Sequence, residues 1–124
     1  MASVVGVWRL VAVHAWSEAG ERLPPLYSEA PLGVAVFTDT WMTATVAPPK
    51  GQATRPFVAY HGAYSFDGET LTTRVEAATI ASWVGGDQVR SGRFQGDDRL
   101  FLRPPIREFG GQRVQQELEW VRVG

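Results

Sequence analysis

Tyr60, Gly62 and Tyr64 put two phenols on one face of a strand, with room left between them by the glycine. A phenol is a hydrogen-bond donor on an apolar body, able to polarise a ligand carbonyl or act as a weak acid. It serves equally well as core packing, its hydroxyl bonded to a neighbouring carbonyl. His14 adds an imidazole whose ordinary pKa near ~6.5 suits proton transfer; the plainer alternative is a satisfied histidine near a strand end. His61 falls on the face opposite the tyrosines. Gln88 and Arg90 share a face, and an inward Arg90 is costly to bury unless a carboxylate or ligand oxygen meets it. Its alternative is a rim salt bridge to Glu76 or Glu117. Tyr60, Tyr64, His14 and Arg90 are therefore the candidate catalytic residues. Trp16, Trp41 and Trp83, with Phe37 and Met42, supply flat apolar wall, and Thr73 and Gln88 complete the binding set. Five tryptophans in 124 residues tilt the reading towards a ligand with extended unsaturation, although aromatics in such a fold also serve as plain core.

Positioning these side chains falls to strands. No segment sustains apolar residues at helical spacing, whereas short β-branched and aromatic runs alternate with turn clusters. Eight strands are expected: 4–16, 33–38, 41–46, 57–66, 70–77, 82–94, 99–103 and 113–123. Asp39-Thr40, Asp67-Gly68-Glu69 and Gln95-Gly96-Asp97-Asp98 are the hairpin turns. The proline-bearing stretches 17–31, 47–56 and 104–111 are read as connections. If Trp8 points inward, so do Leu10, Ala12, His14 and Trp16, while Arg9, Val11 and Val13 face out; one bulge would reverse the far end. Leu71, Thr73, Val75 and Ala77 look inward on the fifth strand. An all-β, eight-stranded antiparallel up-and-down barrel follows, with a central ligand pocket and no exposed sheet edges. An open sandwich of the same strands is the alternative.

One domain accounts for the whole length, 1–124. A net charge of −1 with no basic cluster leaves no nucleic-acid footprint, and the absence of cysteine removes disulfides, thiolate nucleophiles and Cys-ligated zinc. Two lone histidines do not make a metal site, and no phosphate-cradling or nucleophile-elbow motif occurs. No metal, cofactor, signal peptide or membrane span is expected, and a cytoplasmic protein is. A homodimer through the proline-rich loops is left open.

Gly6-x-Trp8-Arg9-Leu10, Gly33 with Phe37-Thr38, Tyr60-x-Gly62-x-Tyr64, the run from Trp83 to Arg90, Gly96 to Leu102, and Trp120-x-Arg122-Val123 together resemble the lipocalin-like domain family of small bacterial and fungal barrels. The likeness spans nearly the whole chain, and Trp-Val-Gly-x-x-Gln-x-Arg is its most specific part. It implies a barrel whose narrow end Trp8 plugs, with Arg122 lying over the indole as a cation–π lid. The chain departs from the pattern in having Thr73-Arg74 where relatives often carry a histidine, in a shorter connection before Tyr60, and in lacking a glycine in the first hairpin.

A closed aromatic pocket with few polar groups and no cofactor motif suits a cofactor-independent cyclase or isomerase of a hydrophobic, polyunsaturated natural-product intermediate. Such chemistry mainly needs the substrate held in a reactive shape. Relatives of this kind in natural-product pathways include cyclases and cycloaddition catalysts, a fold-level analogy. The alternatives are a non-catalytic carrier of a small hydrophobic ligand and a barrel filled by its own side chains.

Overall fold

Exposed and half-buried residues alternate strictly along Asp87–Gln95, which turns one face to the interior and one to solvent. The computed structural model describes residues 3–24, 31–47, 57–109 and 111–124. The strands are β1 (Gly6–Ser17), β2 (Arg22–Leu23), β3 (Leu32–Phe37), β4 (Trp41–Ala47), β5 (Val58–Phe66), β6 (Thr70–Ala78), β7 (Asp87–Gln95), β8 (Arg99–Arg103), β9 (Arg107–Phe109) and β10 (Gln112–Arg122). A single 3-10 turn, Ala81–Trp83, lies between β6 and β7.

Antiparallel neighbours run β1-β3-β4-β5-β6-β7-β8-β10, and β10 pairs back with β1, so eight strands close into a barrel. The short β2 and β9 extend β1 and β10 outside the ring. The sequence expects the eight ring strands; β9 arises inside a stretch read as irregular, and the expected strand 82–94 is a 3-10 turn followed by β7. Residues 25–30 and 48–56, within the expected proline-bearing connections 17–31 and 47–56, lie outside the described residues.

Trp8, fully buried, seals one end of the barrel. Its indole N–H donates to Val4 O at 2.8 Å, and the Arg122 guanidinium lies 4.3 Å over the ring. Arg122 also donates to Val5 O (2.7 Å), Asp97 O (2.9 Å) and Ser3 O, capping carbonyls that no strand partner reaches. Gly6 is required here. Its φ is +136°, and a Cβ would meet Gly124 O at 2.6 Å and Arg122 Nη1 at 2.8 Å. Leu10, Phe37, Leu71, Leu100 and Trp120 pack beside Trp8 as the core.

Two irregularities set which side chains face in. Leu10 pairs with Trp120 but Ala12 with Glu119, so Val11 is an extra residue that reverses the parity of the rest of β1. Val13 and Ala15 are consequently buried, where the simple alternation has Val13 facing out. A second shift between His61 and Gly62 leaves Tyr60 opposite Ala78, and Ala77, expected inward, is exposed.

Candidate functional site

Beyond the sealed end the barrel encloses a cavity of about 280 Å³. Phe37, Met42 and Trp120 line its depth; Val13, Ala35, Ala44, Leu102 and Leu118 line its sides. Small residues matter here, since Ala35 and Ala44 sit where larger side chains would fill the space. Around the mouth stand Val46, Val58, Ile80, Tyr60, Trp83, Arg90, Arg107 and Gln116.

Backbone hydrogen bonds fold the β6–β7 connection onto β6: Val75 N–H donates to Gly86 O and Gly85 N–H to Val75 O, both at 2.9 Å. That sets Trp83 edge-on to Tyr60, with ring centroids 5.5 Å apart at 85°. The Arg107 guanidinium covers the other part of the Trp83 ring at 5.4 Å. Arg90 comes from the inward face of β7, its Nη2 donating to Gln88 Oε1 at 2.9 Å and its Nη1 to Val89 O at 3.0 Å. Both acceptors are neutral.

The electrostatics follow from this packing. Burial pushes the Tyr60 phenol up, while the charges of Arg90 and Arg107 pull it back. Burial lowers Arg90, Tyr60 opposes that, and Arg107 adds to the lowering. Tyr60 is thus a neutral donor at pH 7 beside two cations. No aspartate or glutamate lines the cavity among the described residues. The arrangement can hold an apolar body and offer donors to an oxygen at its mouth.

Residues 49–123 match the lipocalin-like domain family, more than half of the chain. The chain belongs to that family. Solved structures support the same fold. A lipocalin-like protein from Bacteroides uniformis is 13% identical with a TM-score of 0.56, the alignment covering 97% of this chain and 98% of that one. An uncharacterized protein from Bacteroides eggerthii is 10% identical with a TM-score of 0.55, covering 98% and 100% respectively. No curated protein matches the chain.

In this lipocalin-like domain, five of the residues singled out from sequence stand together on the cavity wall: Tyr60, Trp83, Arg90, Phe37 and Met42. Gln88 lies behind Arg90 and holds its guanidinium. The others are placed elsewhere. The Val11 bulge turns His14 and Trp16 to the outer surface. There His14 bonds Glu119 Oε1 (2.9 Å) and accepts from Arg22 (2.7 Å), and Trp16 lies beneath Arg22 and Arg103. Trp41 precedes Met42 on one strand, so the two cannot share a face; Met42 is inside and Trp41 is 45% exposed. Tyr64 sits near the sealed end, edge-on to Phe37 at 5.1 Å with its hydroxyl donated to Thr38 O, as a packing tyrosine would. Thr73 is buried between Tyr64 and Gln88, off the cavity wall.

Arg107, Gln116 and Trp120 are cavity residues that the sequence reading did not select. Arg107 was hidden by the prolines at 104 and 105, and nothing in the apolar-charged-charged-apolar order of Ile106-Arg107-Glu108-Phe109 marks it as inward. Among the described residues, no three of His, Cys, Asp or Glu converge as a metal site, and no helix is long and apolar enough to cross a membrane.

Proposed function

We propose that this lipocalin-like barrel takes up one small, largely apolar molecule, its body against Phe37, Met42, Ala44 and Leu118 and its functional group beside Tyr60. The observation that carries the reading is a cavity of about 280 Å³ walled by apolar side chains whose polar groups gather at its mouth.

A catalytic reading draws on one further feature. Tyr60 presents a protonated phenol close enough to Arg90 and Arg107 for their charges to act on it. A cofactor-independent cyclase or isomerase needs an unsaturated substrate held folded and a donor aimed at the oxygen on which charge develops. Tyr60, with Arg90 behind it, meets that need, and the outward His14 takes no part. A carrier uses the same groups only to hold its ligand.

One experiment tests both. Candidate polyene and polyketide intermediates, with N-phenyl-1-naphthylamine as a neutral apolar reference, are titrated against Trp83 and Trp120 fluorescence and then resolved by mass-detected chromatography. Saturable quenching that Ala44→Phe abolishes by filling the cavity supports uptake. A product of unchanged or water-shifted mass, formed about 100-fold more slowly by Tyr60→Phe, supports the enzyme. A ligand recovered intact supports the carrier, and quenching indifferent to Ala44→Phe overturns the site.

A further inference from the structure

Five arginines of the outer wall have acidic partners, while Arg22 bonds His14 and Arg9 is exposed to solvent. Arg74 meets Asp87 (3.5 Å), Arg93 and Arg103 meet Glu117 (3.5 and 2.7 Å), Arg113 meets Glu18 (2.6 Å), and Arg99 meets Glu119. Arg90 and Arg107, the two that line the cavity, form no ion pair among the described residues. The two acids that the sequence offers as rim partners of Arg90 are committed elsewhere: Glu76 bonds His61 at 3.0 Å on the outside, and Glu117 is buried under Arg93 and Arg103. Arg90 stands in an apolar wall with two neutral oxygens as its only hydrogen-bond acceptors among the described residues, a poor substitute for water or a counter-charge.

We infer that the ligand is an acid, bound as its monocarboxylate with the head between Arg90 and Arg107 and an apolar, flat body directed towards Phe37 and Met42. The inference rests on the uptake reading above and adds the chemical class. A planar guanidinium matches a carboxylate, and Arg90 keeps donor capacity beyond its bonds to Gln88 and Val89. The Tyr60 hydroxyl supplies a third donor at the same end. Trp83, held between Tyr60 and Arg107, offers the head a flat apolar border, so an extended aromatic or conjugated acid fits better than a branched one. Burial lowers the Arg90 pKa and a bound carboxylate would raise it again, so that binding relieves a cost already present in the empty protein.

The test compares 2-naphthoic acid with its neutral isostere 2-naphthamide by isothermal titration calorimetry at pH 7.5, on the full chain. The expected result is an acid at least about 10-fold tighter than the amide, with the preference falling to within about 3-fold in Arg90→Met. Arg107→Gln should weaken the acid more than the amide, and it carries the test alone if Arg90→Met does not fold. Equal affinity of acid and amide in the unaltered protein overturns the carboxylate and leaves the uptake reading standing. Binding of neither, while N-phenyl-1-naphthylamine still binds, does the same. Failure of all three probes overturns uptake as well. A preserved acid preference in a less thermostable Arg90→Met marks Arg90 as structural and also rejects the assignment.

Discussion

Glu119 is the clearest case of one side chain joining two strands through charge. Burial alone would raise its carboxyl, but hydrogen bonds from His14 and Arg99 outweigh that and hold it below the ordinary range. A carboxyl whose folded pKa lies below its unfolded value of about 4.3 contributes stability that is present above that value. The contribution is lost as pH falls through the unfolded pKa towards the folded one. Urea denaturation between about pH 3 and 5 should therefore show a steeper loss of stability in the unaltered protein than in Glu119→Gln. Equal slopes would leave the His14–Glu119–Arg99 chain without energetic weight. The same residues explain why His14 was misplaced on sequence alone: its chemistry is plain from its type, but its direction is set by an extra residue three positions earlier.

At the scale of elements, alternation made the eight ring strands legible, because each buries one face and turns between residues with clear hairpin chemistry. Bulges were not legible. Nothing in the composition of Leu10-Val11-Ala12 distinguishes a paired valine from a looped-out one, since the shift is decided by the register of β10 across the barrel seam. The mouth was half legible for the same reason. Tyr60 and Arg90 sit on strands whose parity runs from nearby turns and Trp83 on the 3-10 turn between β6 and β7, whereas Arg107 depends on β9 pairing with β10. Gly62 lets β5 and β6 approach closely: a Cβ there would lie 1.8 Å from Arg74 O, a backbone atom. Gly62→Ala should cost about 3 kcal/mol by forcing the two strands apart. Guanidinium denaturation checks this, and a loss under 1 kcal/mol would mean that the pair relaxes without strain.

For the molecule as a whole, closure makes the two ends unlike. One is sealed by Trp8, Arg122 and the carbonyls they satisfy, and the other opens beside Tyr60, Trp83 and Arg107. Amide hydrogen exchange should follow that gradient. The amides of Trp8, Leu10, Leu100 and Trp120 should exchange only through global unfolding, while those of β9 and the Ala81–Trp83 turn should open locally and orders of magnitude faster. Uniform protection along the barrel would contradict it. The seal at Trp8 has a consequence for the history and redesign of this chain. Because Val58, Ile80, Trp83 and Arg107 stand apart from the core cluster that anchors the fold, those positions form an interchangeable set on a fixed chassis. Inheritance, or a library randomised there, has freedom to swap one cargo for another while the chassis goes on folding as before.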